Sequence, residues 1–172
     1  MTPLNYALLG LMQVQPRSGY ALRKEFETTP IGRYSSSPGS IYPALKVLEK
    51  AGLAEARGAG GAHSRGLYHP TARGCAVLAA WLTAPITDID EALLRFAFLP
   101  EDDVSAILAF LGAFEAAVLA QAGELDAFMA GEAGMAMTLK SRMAVEHGRR
   151  GLQASADWAA SARRRYSQGD KG

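Results

Sequence analysis

The run Ser37-Pro-Gly-Ser-Ile-Tyr-Pro-Ala-Leu-Lys-Val-Leu-Glu-Lys-Ala-Gly-Leu53 constrains the fold more than any other stretch, because both ends of a helix are written into it. Ser37-Pro38-Gly39 is turn chemistry, and Ser40 is placed to cap the free amides of a first turn. Pro43 has no N–H and is tolerated only inside that turn, so the helix starts at Gly39 or Ser40. Gly52 stands where a left-handed residue ends a helix, and Leu53 where a Schellman motif folds it onto Leu48. Ile41, Ala44, Leu45 and Leu48 recur at spacings of three and four and form an inward stripe. Tyr42, Pro43, Lys46, Glu49 and Lys50 face outward. A short helix with a small, hydroxyl-bearing start and a Tyr/Lys outer face suits a groove of DNA. Taken alone, the same pattern also describes an ordinary amphipathic surface helix.

The flanking segments decide between these. Thr2 and Pro3 open a first helix with Leu4, Leu8, Leu11 and Met12 on one stripe, and Gln15-Pro16-Arg17 breaks it. Ser18 caps a second helix, in which Tyr20, Leu22 and Phe26 are the apolar positions. After the Ser40 helix come two short strands, Leu53–Arg57 and Arg65–His69, joined by a Gly-rich tip. Thr71 caps a fourth helix that buries Val77, Leu78, Trp81 and Leu82, and Pro85 closes the module. Three helices, a hairpin and a helix are the layout of a winged helix-turn-helix, whose third helix enters the major groove while the wing touches backbone.

Several motifs at these positions carry a resemblance. Ala7-Leu-Leu-Gly10, Ser18-Gly-Tyr-Ala-Leu22, Ser37 to Leu45, Leu48-Glu-Lys-Ala-Gly-Leu53 and Tyr68-His-Pro-Thr-Ala-Arg-Gly74 resemble the PadR family of bacterial transcriptional regulators, over residues 4–84 in order. The resemblance implies DNA contact by Ser37, Gly39, Ser40, Tyr42, Pro43 and Lys46, and by the wing around Arg65. The chemistry is compatible: hydroxyls and first-turn amides bond phosphate, and a lysine serves phosphate or guanine. Where such wings usually hold a basic cluster, Gly60-Gly-Ala-His-Ser-Arg65 has one arginine and one histidine, which predicts a weaker wing.

Charge is divided along the chain in a way that agrees. Residues 1–85 hold nine Lys/Arg against four Asp/Glu, and residues 86–172 nine against thirteen. An anionic partner is therefore expected for the first half only. A single cysteine, Cys75, excludes an intramolecular disulfide framework and fits a reducing compartment. No basic and apolar leader precedes the first helix, and the most apolar stretch, Ala106 to Ala120, is broken by Gly112 and Glu115, short of a membrane span. The expected location is the cytoplasm, with no membrane partner.

In the second half, Asp88-Ile-Asp-Glu91 reads as a capping box for a helix through Phe98. Glu101-Asp-Asp103 then loads the start of a long helix. Along it Val104, Ile107, Leu111, Phe114, Val118, Leu125 and Phe128 form a heptad seam with Gln121 as its polar member. Gly131 to Gly134 interrupts, and a last helix runs to about Tyr166, with a frayed tail from about residue 167. The family resemblance implies that such a region dimerises, and the seam is the predicted contact between copies; the other reading is an intramolecular helical subdomain.

The expected fold is thus mostly α: a winged helix-turn-helix over residues 1–85 and a helical dimerisation domain over residues 86–172. No nucleophile motif, phosphate loop, metal-ligand spacing or cofactor fingerprint occurs, so neither catalysis nor a cofactor is expected. Cys75 reads as a small core residue. Trp81, Phe96 and Trp158 are candidates to line an effector pocket. The expected function is a dimeric repressor bound to a two-fold symmetric operator on double-stranded DNA and released by a small aromatic effector. The alternative is a winged-helix module that docks a protein through the Tyr42/Lys46 face.

Overall fold

A computed structural model describes residues 1–35, 37–58 and 66–169. Its contacts divide into two compact units, Met1–Ala84 and Pro85–Gly172.

In the first unit, helix α1 (Pro3–Val14) is capped by the Thr2 hydroxyl, which accepts from the Asn5 amide. Helix α2 (Gly19–Thr28) is capped by Ser18, whose hydroxyl accepts from Ala21 N at 3.1 Å. Two 3₁₀ turns, Pro30–Tyr34 and Pro38–Ser40, lead into α3 (Ile41–Lys50). The end of α3 is a Schellman motif. Gly52 has φ +66, its amide donates to Glu49 O at 2.9 Å, and Leu53 N donates to Leu48 O at 2.9 Å.

Strands β1 (Ala54–Arg57) and β2 (Leu67–Pro70) pair antiparallel, Ala54 opposite Pro70 and Arg57 opposite Leu67. Both begin later than expected, because Leu53 is held in the helix cap and Gly66 remains outside the ladder. Arg17, in the break after α1, forms a bridge to Tyr68, with Tyr68 N donating to Arg17 O at 2.8 Å. Helix α4 (Ala72–Leu82) is capped by Thr71, whose hydroxyl accepts from Gly74 N and donates to Gly52 O. With Arg73 bonded to Ala51 O, the start of α4 is stitched to the end of α3. Leu8, Leu9 and Met12 of α1, Leu22 of α2, Ile41, Leu45 and Leu48 of α3, and Leu78 of α4 are the buried side chains on which the unit closes.

The second unit contains α5 (Ile89–Ala97), α6 (Val104–Ala130), the one-turn α7 (Glu132–Met135) and α8 (Leu139–Gln168). Asp88, Asp103 and Thr138 cap α5, α6 and α8 through their side chains. Helix α8 continues two residues past the expected Tyr166, because Gly169 at φ +70 provides a left-handed cap. Arg95 is buried and anchors the start of the unit, donating to Pro85 O at 3.1 Å and to Glu91 at 3.0 Å.

The core of this unit changes the reading of the heptad seam. Ile107, Leu111, Phe114 and Val118 are at most 2% exposed and pack with Phe110, with Ala92 of α5 and with Ala156 and Ala159 of α8. The seam is real, but its middle is filled within the chain, so these four are not a free dimer surface. Val104 and Phe128, at its two ends, stay exposed, and Leu125 is half-buried.

Arg163 pairs with Glu115 at 2.7 Å and Arg149 with Asp126 at 3.1 Å, fixing α8 antiparallel along α6. Hydrogen bonding to Asp126, reinforced by its charge, raises the Arg149 pKa above its ordinary value. Toward the α7 corner the core runs out: from Leu119 to Ser155 only Ala122 and Gly134 are buried.

Helix α6 also corrects the expectation that its apolar stretch is too short to cross a membrane. By length and composition it qualifies, with a mean hydropathy of 1.8 over its most apolar window. A soluble core helix passes the same test. Two acids of α6, Glu115 and Asp126, pair with Arg163 and Arg149 of α8.

Candidate nucleic-acid interface

The outward side of α3 is built by what its inward side must bury. With Ile41, Ala44, Leu45 and Leu48 buried, Pro43, Lys46, Val47, Glu49 and Lys50 are left exposed. Tyr42 is half-buried. A Cβ on Gly19 would come within 2.9 Å of Tyr42 Cε1, so the missing side chain of Gly19 lets the start of α2 lie against the Tyr42 ring.

The start of α3 differs from the expected cap. Ser40 has α-helical backbone angles, and its hydroxyl makes no cap bond. It bonds back to Ser37 O at 2.6 Å and meets the Ser35 hydroxyl at 2.7 Å, because the 3₁₀ turn brings the Ser37 carbonyl within its reach. That carbonyl also accepts from Ser35 Oγ at 2.8 Å and Ser40 N at 3.0 Å. The Ser37 residue is exposed, and its hydroxyl has no partner among the described residues. Gly39 is exposed beside it. A Cβ there would meet, among the described residues, only Ser37 Oγ at 3.7 Å, so nothing in their packing demands a glycine.

The cations of the first unit fall into two groups. Arg17 pairs with Glu25, Arg23 with Glu27 and Arg57 with Glu55; Arg73 bonds Ala51 O, and Arg33 lies 5.4 Å over the Tyr34 ring. Among the described residues, the side-chain ammonium groups of Lys24, Lys46 and Lys50 enter no ion pair or hydrogen bond, and all three residues are exposed. Two of these lysines stand on the outward face of α3.

Several large apolar residues of this unit are exposed, Met1, Val14 and Leu67 among them. Tyr20, expected at an apolar position of α2, is 64% exposed, and Val47 is 56% exposed. Arg65 and the Gly-rich tip lie outside the described residues. Cys75 is free and half-buried.

The three candidate effector residues are divided between the units. Trp81 is buried in the first, stacked on Tyr6 with ring centroids 4.2 Å apart, so it serves that core. Phe96 and Trp158 meet edge to face at 5.3 Å in the second, with Phe114 at 5.7 Å from Trp158. Trp158 remains 38% exposed.

A helix-turn-helix whose third helix is followed by a hairpin and a stitched fourth helix defines a winged-helix module, here joined to a helical second unit. Residues 8–80, which span nearly all of this module, match the PadR-like family of transcriptional regulators. Among solved structures the chain is similar to a PadR-like transcriptional regulator from Bacillus cereus, at 18% identity over 97% of this chain and 99% of that one, TM-score 0.43. It is also similar to Bacillus subtilis PadR in complex with operator DNA, at 22% identity over 93% and 97% of the two chains, TM-score 0.41. The same protein in complex with p-coumaric acid gives 21% identity over 96% of each chain, TM-score 0.41. No curated protein matches the sequence.

Proposed function

We propose that the protein is a repressor that binds a two-fold symmetric operator as a homodimer, reads it through α3, and is released by a small aromatic effector. The observation that carries the DNA reading is the distribution of cations. Most basic side chains of the first unit are engaged within the chain, while the ammonium groups of Lys46 and Lys50 stand unbonded among the described residues, on the face that the buried stripe turns outward. Ser37, Gly39, Tyr42 and Pro43 extend that face toward the helix start, where hydroxyls and close backbone approach serve phosphates. Ser40 acts through the turn it stabilises, and the Arg65 wing remains an assignment by resemblance.

Dimerisation is supported by what the second unit leaves uncovered. Phe128, Met135, Leu139 and Met143 are between 47% and 75% exposed at the end of the α6–α8 hairpin, where the buried core has run out. Covering such a surface with its own copy places two reading helices on one duplex, as operator symmetry requires. Repression then follows from occupancy of the promoter. Trp158, with an exposed ring edge-on to Phe96, is the side chain offered to a planar effector.

The test is a fluorescence-anisotropy titration on duplex DNA at several salt concentrations. The affinity is expected to fall steeply with salt as lysines displace counterions from phosphates. Binding indifferent to salt would support the protein-docking alternative. In a Trp81→Phe variant, Trp158 fluorescence should be quenched by p-coumaric acid if the effector site lies there.

A further inference from the structure

One residue on the outward face of α3 is explained neither by the core nor by charge. Val47 stands one turn beyond Pro43, next to Lys46 and three residues before Lys50, and is 56% exposed. A β-branched side chain is restricted in a helix, so on a bare face it is a poorer choice than alanine, lysine or glutamate. It also leaves apolar surface in water, on a face otherwise made of lysines, glutamate and a proline. Such a residue gains something only when the face is covered.

We propose that Val47 is a specificity-determining residue that packs on the 5-methyl group of a thymine when α3 lies in the major groove. This rests on the DNA-reading function proposed above. Among the groups that base pairs present in the major groove, the thymine methyl is the apolar one, and small apolar side chains recognise it by contact. Lys46 and Lys50 flank Val47 along the same face and can hold phosphates or guanine acceptors, which sets the depth and orientation of the helix without reading thymine. The branched side chain between them then meets base edges. It distinguishes thymine from cytosine, which has no methyl and offers an amino group that Val47 cannot bond.

The experiment uses the full chain and a duplex selected from a random pool by rounds of binding to it. Each thymine of one half-site, with its symmetry mate, is replaced by uracil, which removes the methyl and nothing else. At one position uracil should weaken the wild-type protein about fourfold per half-site, the weight of one methyl group taken out of water. Val47→Ala should bind the thymine and uracil duplexes equally at that position and respond as wild type at the others. Its melting temperature should be unchanged or slightly raised, because the residue is exposed and alanine has the higher helix propensity. A Val47→Ala protein that responds to every uracil as wild type does would overturn the assignment, as would a wild type indifferent to all of them. If selection yields no specifically held duplex, the DNA-reading function itself fails, and this inference with it.

Discussion

Leu139 is the single position at which the proposed dimer is most exposed to test. It opens α8 directly after the Thr138 cap and is 75% exposed. Burying a whole leucine side chain is worth about 2 kcal/mol, so covering its exposed three-quarters yields roughly 1.5 kcal/mol. A two-fold interface uses every patch twice, which brings the loss on removing Leu139 to about 3 kcal/mol per dimer, or about 150-fold in dissociation constant. Glutamate is the informative replacement, because an acid in the first turn is favoured by the helix dipole and leaves α8 intact. Sedimentation velocity over a dilution series measures the dimer constant, with circular dichroism as the control. Leu139→Glu should dissociate at concentrations where wild type is paired, at unchanged helicity. Operator affinity should fall in parallel, because two linked heads bind with an avidity that one lacks. An unchanged dimer constant would refute the placement of the interface, and a monomeric wild type would refute the dimer.

Three other substitutions probe other parts of the molecule. Gly39→Ala should stabilise the chain by up to about 1 kcal/mol, since its φ is not positive and a Cβ has room, yet weaken DNA binding by crowding the duplex; thermal melting and anisotropy read the two effects separately. Lys46→Ala should lower the slope of log affinity against log salt by about 0.9 for each phosphate that the lysine neutralises; an unaltered slope removes Lys46 from the backbone. Leu111→Glu places an unpartnered carboxylate at a position 0% exposed and should cost several kcal/mol, melting the second unit instead of separating intact protomers; circular dichroism distinguishes the two.

Much of the first unit can be read from the sequence because its signals act within a few residues. Gly52, Leu48 and Leu53 specify their helix end almost by themselves, and Thr2, Ser18 and Thr71 find amides three positions on. The misreadings there have the same scale but a competing partner. Ser40 has a cap's chemistry, yet the 3₁₀ turn before it places a carbonyl closer than the amides. Tyr20 has an aromatic's preference for burial, yet it is 64% exposed, while Tyr42 is the aromatic that lies against Gly19 at the start of α2. The bridge from Arg17 to Tyr68 joins residues far apart in sequence, and no local pattern announces it.

The second unit fails differently, and the failure locates the proposed interface. Periodicity correctly identifies Ile107, Leu111, Phe114 and Val118 as one stripe, but a stripe does not say which helix covers it. An antiparallel helix from the same chain meets that demand at far lower entropic cost than a second molecule, and α8 does so with two ion pairs to fix its register. Its alanines, Ala156 and Ala159, allow close approach where α6 is bulky. Once the stripe is consumed in this way, the exposed apolar side chains gather most densely at one place: Phe128 at the end of α6, Met135 in α7, and Leu139 and Met143 on the first turns of α8, with Val104, Leu119 and Trp158 exposed elsewhere in the unit. The first four come from three elements that meet at a corner. Their spacings of seven, four and four look helical, but two helix breaks fall between them, so the surface becomes visible only when the hairpin has closed.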